Sequence, residues 1–261
     1  MRSAAIVVSL EIRDVHGDEI DDVVRIHNQV VSASDREYTI YSSPRVAMYL
    51  RAIVAWPILS PQHRIIGAWN GQELVAYAHY RDLGCSYHLN HIAVADRWQG
   101  SGIGNRLFQH WEAEARSRNY TKLSLDVSIN NTRAREWYIR RGFESDYSTY
   151  VFSREHDAIE ASNDGNCTSG LRIQGWEAAE AWQRAFGFST FGIHEDDRRW
   201  SVGRLWTKYF QLDAVPSEEA WHVLKVIDSK RDVLIRMRAG TIILSNDDSL
   251  RLTVTRMMRS E

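Results

Sequence analysis

The sequence is poor in cysteine, and its charges nearly cancel. Cys85 and Cys167 are the two cysteines among 261 residues, too few and too far apart for a cysteine metal cluster or a disulfide framework. Such usage is typical of a reducing compartment, so we expect a cytoplasmic protein with no metal cofactor. The 32 basic and 34 acidic residues leave a net charge of -2. This balance excludes a chain-wide basic field, and we expect no nucleic-acid partner.

Long hydrophobic runs are lacking too. The N-terminal apolar run, residues 4–10, is short and leads into Glu11 and Arg13 without a small-residue cleavage site. It therefore predicts a strand rather than an export signal. No other stretch approaches the roughly 20 apolar residues that cross a bilayer. We expect no membrane partner.

The hydrophobic pattern predicts an α+β protein in two parts. Up to residue 153 the order is strand, two helices, three strands, helix, strand, helix and strand, and Asn70-Gly71 predicts a tight hairpin turn. Residues 154–170 are polar and turn-rich, which indicates a linker. Residues 171–261 predict a smaller α+β domain with helices and strands at 177–186, 217–228, 233–238, 241–245 and 250–257.

A stretch with three alternating glycines, Gly100, Gly102 and Gly104, follows a predicted strand and precedes a predicted helix. Asp126 lies about where a dinucleotide site places its ribose-binding acid. The glycine spacing nevertheless fails that motif, because Asn105 follows where the motif needs a small residue. A nucleoside-triphosphate loop fails as well, since no Lys-Ser or Lys-Thr follows.

Two motifs together resemble the GCN5-related N-acetyltransferases (GNAT). Residues 99–104 are similar to the family's acyl-CoA loop, Q/R-x-x-G-x-G/A, and residues 131–143 are similar to its later stretch, N-x-x-A-x-x-x-Y-x-x-x-G-F. The resemblance covers about residues 5–153, our predicted acetyltransferase domain of residues 1–153. It implies the GNAT fold, a mixed and mostly antiparallel central sheet flanked by helices. It also implies acetyl-CoA as co-substrate.

The resemblance assigns cofactor-binding residues, and elementary chemistry agrees. An anionic pyrophosphate needs convergent amides at a helix N-terminus, and glycines let the backbone come close. The pyrophosphate residues are Gln99, Gly100, Ser101, Gly102, Ile103 and Gly104. The backbone of Ile92, Ala93 and Val94 would bind the pantetheine arm while their side chains are buried. Asn131 either contacts the arm or caps the following helix.

Amine attack on a thioester needs an acid and a base. A phenol beside the sulfur can protonate the departing thiolate, so Tyr138 is the predicted general acid, with a core tyrosine as the alternative. The resemblance also implies a base at His88, where some family members carry a basic catalytic side chain; a packing or surface histidine is the alternative. His91, three residues on, is expected on the opposite face of the strand. Further candidates for the base are Asp35, Glu37 and Tyr38.

The second part is weakly similar to the opening of another GNAT unit. It has neither motif after Leu171, so a second copy would be degenerate and without an acyl-CoA site. Its tryptophans fit core packing, a wall of the acceptor pocket or a homodimer contact: Trp176, Trp182, Trp200, Trp206 and Trp221. We expect an acetyl-CoA-dependent N-acetyltransferase acting directly on a primary amine of a small molecule. A protein N-terminal or lysine acetyltransferase, and a non-catalytic acyl-CoA sensor with a C-terminal interaction module, are the alternatives.

Overall fold

Strands and helices follow one another along both parts of the chain. The computed structural model describes residues 10–58, 60–154, 170–239 and 249–260. The first half contains β1 (Leu10–Asp14), α1 (Ile20–Val30), α2 (Ala33–Arg36), α3 (Val46–Ala55), β2 (His63–Asn70), β3 (Glu73–Asp82), β4 (Tyr87–Val94), α4 (Ile103–Ser117), β5 (Lys122–Ser128), α5 (Thr132–Ile139) and β6 (Glu144–Arg154). The second half contains β7 (Leu171–Gln174), α6 (Trp176–Phe186), β8 (Phe188–Glu195), β9 (Arg198–Leu205), β10 (Tyr209–Leu212), α7 (Glu218–Ile227), β11 (Asp232–Arg238) and β12 (Ser249–Ser260).

All twelve of these strands belong to one sheet, in the order β1-β2-β3-β4-β5-β12-β6-β11-β10-β9-β8-β7. In the first half, each strand from β1 to β4 pairs antiparallel with the next strand along the chain, and β4 pairs parallel with β5. The second half repeats this pattern from β7 to β10, with β10 parallel to β11. The mixed, mostly antiparallel sheet with flanking helices confirms the predicted fold class. The repeated topology agrees with a second GNAT-like unit.

The last strand of each half pairs with the other half. β12 lies between β5 and β6, so Arg256 stands opposite Asp126 on one side and Tyr147 on the other. β6 in turn pairs antiparallel with β11. The division into residues 1–153 and 171–261 stays a prediction. Of the predicted linker, residues 154–170, only the two end residues lie in the described part.

Different helices cover the two faces of the first half of the sheet. On the face we call the α4 face, Trp111 of α4 and Tyr138 of α5 are buried in one core cluster. On the α1 face, Ile26 of α1 and Leu50 of α3 are buried in a second cluster. Met257 of β12 is fully buried in the α4-face core. The second half therefore supplies part of the first half's hydrophobic core.

Local sequence signals account for most of the elements. The hairpin between β2 and β3 turns at Gly71, whose φ of 64° suits glycine. The N-terminal strand, predicted from the apolar run at residues 4–10, is seen from Leu10 onward, and the predicted strand over residues 241–245 lies outside the described residues. Strands β8 to β10, over residues 188–212, were not predicted. Trp200 and Trp221 are buried in the second half's core, whereas Trp182 is 46% exposed.

Replacing Met257 by alanine should destabilise the protein by about 2–5 kcal/mol, because a buried side chain leaves a cavity in the α4-face core. Denaturant unfolding monitored by tryptophan fluorescence measures the loss. The neighbouring Met258 is only half-buried, so Met258→Ala is the matched control and should cost clearly less. Equal losses in the two variants would contradict the placement of β12.

Candidate active site

The site begins where two parallel strands separate. β4 pairs with β5 only from Tyr87 to Leu89. Beyond Leu89, β4 continues to Val94 with β3 alone, while β5 continues along β12. The backbone groups of β4 on the side facing β5 therefore have no strand partner over residues 90–94. Unpaired backbone donors and acceptors in a half-buried gap suit an amide-bearing ligand. The stretch Ile92, Ala93 and Val94 lines this gap, as the acyl-CoA interpretation requires.

A β-bulge lies at the point of separation. In the ladder His79 stands opposite His91 and Tyr80 opposite Leu89, so Asn90 is an extra residue on β4. The extra residue shifts the alternation of side chains by one. Tyr87 and Leu89 lie in the α4-face core, so His88 points to the α1 face. Beyond the bulge His91 points to the same face, 4.9 Å from the His27 ring. The prediction that His88 and His91 point to opposite faces of the sheet is therefore wrong.

The glycine turn lies at the far end of the gap. Gly100 and Gly102 have φ values of 79° and 85°, which side-chain-bearing residues rarely adopt, and open space surrounds the position of a Cβ at each. Gly102 is the N-cap of the fifteen-residue helix α4, whose first residue, Ile103, is buried. A Cβ on Gly104 would lie 3.5 Å from Val94 Cγ2. The turn thus presents a helix N-terminus and approachable backbone amides to an anion, which fits a pyrophosphate.

Polar side chains brace this turn. Gln99 Nε2 donates to the carbonyl oxygen of Val94 (3.3 Å) and to Asp96 Oδ1 (3.1 Å), and Gln99 Oε1 accepts from Arg133 (3.2 Å). The Ser101 hydroxyl donates to the Trp98 carbonyl oxygen. Gln99 therefore ties the turn to the end of β4. The motif predicted Gln99, but Arg133 could have been suggested only by its position beside Asn131.

Asn131 and Tyr138 are positioned by α5. Asn131 is the N-cap residue, and its Oδ1 accepts from the amide of Ala134 at 3.1 Å, which establishes the capping role; its contact with the cofactor stays a prediction. Tyr138 is 7% exposed and packs between the rings of Trp137 and Phe143. Among the described residues its hydroxyl has no hydrogen-bond partner. Burial raises the pKa of Tyr138 above its ordinary value, so the phenol keeps its proton at neutral pH.

His88 lies on the α1 face, at the base of the gap. Its Nδ1 is 3.0 Å from Ser124 Oγ, which is 2.8 Å from Ser86 Oγ. Its Nε2 faces Asp126 Oδ2 at 3.9 Å. Burial lowers the pKa of His88 to about 4, and the Asp126 carboxylate opposes this shift. His88 is therefore neutral at pH 7 and can accept a proton.

Other histidines extend the same face, although no sequence motif places them in the site. His27 Nδ1 lies 2.6 Å from Tyr77 Oη, and the His27 ring stacks on Tyr41 at 3.6 Å. His63 Nδ1 lies 2.9 Å from His79 Nε2. Burial lowers the pKa of each of these three imidazoles below its ordinary value. A signal for His27 existed, since it falls on the apolar stripe of α1. The described residues contain no group of three or more His, Cys, Asp or Glu placed to hold a metal ion.

The remaining base candidates lie between α1 and α3. Glu37 accepts from Tyr209 Oη at 2.9 Å and pairs with Lys208, and the hydrogen bond from Lys208 is the main reason that the pKa of Glu37 is lowered. Tyr38 packs against Tyr209 at 5.7 Å between ring centres. Asp35 lies in α2, where its amide donates to Ser32 Oγ. Glu37 and Tyr38 thus join the α1–α3 connection to the second half.

Over its described residues, the second half has no comparable gap. All four residues of β10 pair with β11. The connection from β10 to α7 spans residues 213–217 without a glycine, and α7 is capped by the side chain of Ser217, which accepts from the amide of Ala220 at 3.1 Å. The described part of the second half therefore lacks both the splayed strands and the glycine turn.

Splayed strands, a glycine turn at a helix N-terminus and a buried phenol fit the acyl-CoA site expected from the sequence. Comparison with known proteins agrees on the class: residues 28–143 match the model of the Acetyltransferase (GNAT) family. This part of the chain is a GNAT acetyltransferase domain, and proteins of this fold use acetyl-CoA as acyl donor. Among the described residues, no helix is both long and apolar enough to span a membrane.

Solved structures show the same fold along nearly the whole chain. A GCN5-related N-acetyltransferase from Sphaerobacter thermophilus is 12% identical with a TM-score of 0.62, covering 96% of this chain and 95% of its own. A GCN5-related N-acetyltransferase from Kribbella flavida is 17% identical with a TM-score of 0.59, covering 99% and 72%. A tandem GNAT protein from the clavulanic acid biosynthesis pathway is 13% identical with a TM-score of 0.63, covering 97% and 98%. The match to a tandem protein agrees with two GNAT-like halves.

Replacing Gly102 by alanine should weaken CoA binding at least tenfold, because the methyl group strains the turn and obstructs the approach to its amides. Isothermal titration with CoA measures the effect. Gly71 has a similar φ of 64° and equally open surroundings, so Gly71→Ala carries the same backbone strain away from the site. The assignment of the turn fails if both variants bind CoA alike.

Stability should fall as the pH drops below about 6.5. The pKa values of His27 and His88 are about 2 and 4 in the folded protein, below their ordinary 6.5, so the unfolded chain binds more protons in this window. The free energy of unfolding should be constant above the unfolded pKa and decrease by about 1.4 kcal/mol per pH unit for each such histidine. Denaturant titrations from pH 7.5 to 4.5 measure the slope. His27→Phe should reduce this slope, and an unchanged slope would contradict the burial of a neutral His27.

Proposed function

We propose that the protein transfers the acetyl group of acetyl-CoA directly to the primary amine of a small molecule. The observation that carries this proposal is the gap between β4 and β5, which has the Tyr138 phenol on its α4 face and His88 on its α1 face. An acyl donor threaded through the gap exposes its carbonyl carbon to an amine arriving from the histidine-lined side.

The reaction forms one carbon–nitrogen bond and breaks one carbon–sulfur bond. The amine nitrogen attacks the thioester carbonyl carbon, and the thiolate leaves with the bonding electron pair. Tyr138 donates its proton to that thiolate, and its raised pKa ensures that the proton is present beforehand. The attacking nitrogen loses a proton to the base, and solvent restores both groups. The product is an amide together with free CoA.

We assign His88 as the base. Neutral His88 offers a ring nitrogen toward Asp126, and the carboxylate favours the protonated ring once it forms. A primary alkylamine has an ordinary pKa near 10.4 and must lose its proton before attack. A buried imidazole with a pKa of about 4 is a weak base, so His88 works best as a transient acceptor that passes the proton onward. Ser124 and Ser86 continue the hydrogen-bonded chain from its Nδ1.

The enclosure of the α1 face supports a small acceptor over a polypeptide. Ser43 Oγ donates to the Phe186 carbonyl oxygen at 2.6 Å, and Tyr49 packs on Phe188 at 4.9 Å between ring centres. With the contacts of Glu37 to the second half, these interactions secure the α1–α3 connection over the face on which the acceptor enters. An extended peptide needs an open groove there. We also propose a cytoplasmic location, because the scarcity of cysteine is typical of a reducing compartment.

Replacing Tyr138 by phenylalanine should lower kcat by about a hundredfold or more, with little change in the KM for acetyl-CoA, because the phenol acts on the leaving group in the transition state. Release of free CoA, measured over panels of small amines, N-terminal peptides and lysine peptides, gives both constants and identifies the acceptor class.

The matched control is Tyr120→Phe. It removes the hydroxyl of a half-buried tyrosine whose ring stacks on Tyr87, away from the gap. It should leave both constants unchanged. A fully active Tyr138→Phe enzyme would contradict the general-acid role. Turnover of peptides alone would show a protein acceptor, and binding of acetyl-CoA without turnover on any panel would favour the sensor.

A further inference from the structure

An arginine near the end of β3, on the α1 face, has a side chain that the proposed chemistry does not use. Arg81 of β3 stands opposite His63 of β2 and His88 of β4. Neighbouring residues in such a cross-strand row have Cβ atoms about 5 Å apart. The guanidinium therefore lies one strand away from the predicted base, within the layer where an acceptor would bind.

This guanidinium is unpartnered. Among the described residues it makes no hydrogen bond and no ion pair, and its Nε is completely shielded from solvent. Arg64, on the adjacent strand, shows the usual arrangement, because it pairs with Asp14 and with Glu114. A shielded donor without an acceptor costs free energy, and a cation costs more. A ligand that supplied an acceptor would remove this cost.

The groups around Arg81 do not supply an anion. Burial lowers the pKa of four neighbouring imidazoles, those of His63, His79, His88 and His91, and the positive charge of Arg81 adds a smaller shift in the same direction. The same charge acts on the phenol of Tyr49. Each of these side chains is neutral at pH 7. Asp126, which faces His88, is held through both carboxylate oxygens by Arg256. The layer next to Arg81 thus contains a positive charge among neutral rings.

We propose that Arg81 binds a carboxylate of the acceptor, so that the substrate is an amine that carries a carboxylate a few bonds from its nitrogen. The inference rests on the proposed transfer to a small amine. A guanidinium presents two parallel N–H donors to a carboxylate, which sets the orientation of the bound molecule as well as its affinity. With the carboxylate on Arg81, the amine is directed along the row toward His88 and the gap.

The test uses matched probes that differ only in the anion. Glycine, β-alanine and 4-aminobutyrate are each compared with their own carboxamides, by titration into the protein saturated with CoA, so that binding is measured without turnover. The carboxylate member should bind at least tenfold more tightly than the carboxamide in one or more pairs. Arg81→Gln should abolish that preference, and Arg81→Lys should retain part of it. Equal binding within every pair in the native protein would overturn the proposal.

Two controls separate folding and chemistry from recognition. Arg81→Gln should keep the native melting temperature, because the guanidinium has no described partner to lose. Arg25→Gln, which removes an exposed arginine paired with Asp22 on α1, should keep the carboxylate preference. If Arg81→Gln keeps the preference, the proposal is overturned.

Release of CoA on the same probes distinguishes this inference from the proposed function. Carboxylates that bind through Arg81 without releasing CoA would contradict acetyl transfer and leave the anion site standing. Carboxamides acetylated as efficiently as carboxylates would support acetyl transfer and overturn the role of Arg81.

Discussion

The separation of β4 from β5 after Leu89 is the constraint on which the rest of the site depends. It exists because the bulge at Asn90 turns β4 aside, while β5 stays in register with β12. Backbone groups that a continuous sheet would pair are thereby left available to a ligand. The glycine turn lies at the open end of this gap, and Tyr138 and His88 lie on its two faces. Closing the gap would pair these backbone groups and remove the site that we propose for the acyl donor.

The second half contributes to this site by packing and strand pairing, and its described part has no acyl-CoA motif. Its topology repeats that of the first half, yet β10 stays fully paired with β11, and no glycine turn precedes α7. What it contributes is β12, which covers the outer edge of β5 and places Met257 in the α4-face core and Arg256 on Asp126. It also secures the α1–α3 connection through Tyr209. Strands of the second half thus complete the sheet and the core of the first.

The elements that were predicted correctly are those whose signal is local. The Asn70-Gly71 hairpin and the amphipathic α4 follow from turn chemistry and a 3.6-residue period, which neighbouring residues specify by themselves. The strands over residues 188–212 were not predicted, because their outward positions carry arginine and other polar groups, which weaken the alternating apolar pattern. The face of His91 was mistaken for a different reason. One extra residue in a strand reverses all later side chains, and nothing in the residue types marks Asn90 as that residue.

The predicted donor half of the site could be recognised from the residues alone. Glycines at fixed spacing before a helix, together with Asn131 and Tyr138 further along, resemble the two GNAT motifs, and phosphate binding at a helix N-terminus gives the glycines a physical reason. The proposed acceptor half could not be recognised without the fold. Whether Arg81 meets a carboxylate or neutral rings depends on which distant strands and helices pack around it, and that follows from burial and pairing over the whole sheet. The spacing of residues along the chain cannot show that a buried donor such as Arg81 Nε lacks an acceptor among the described residues.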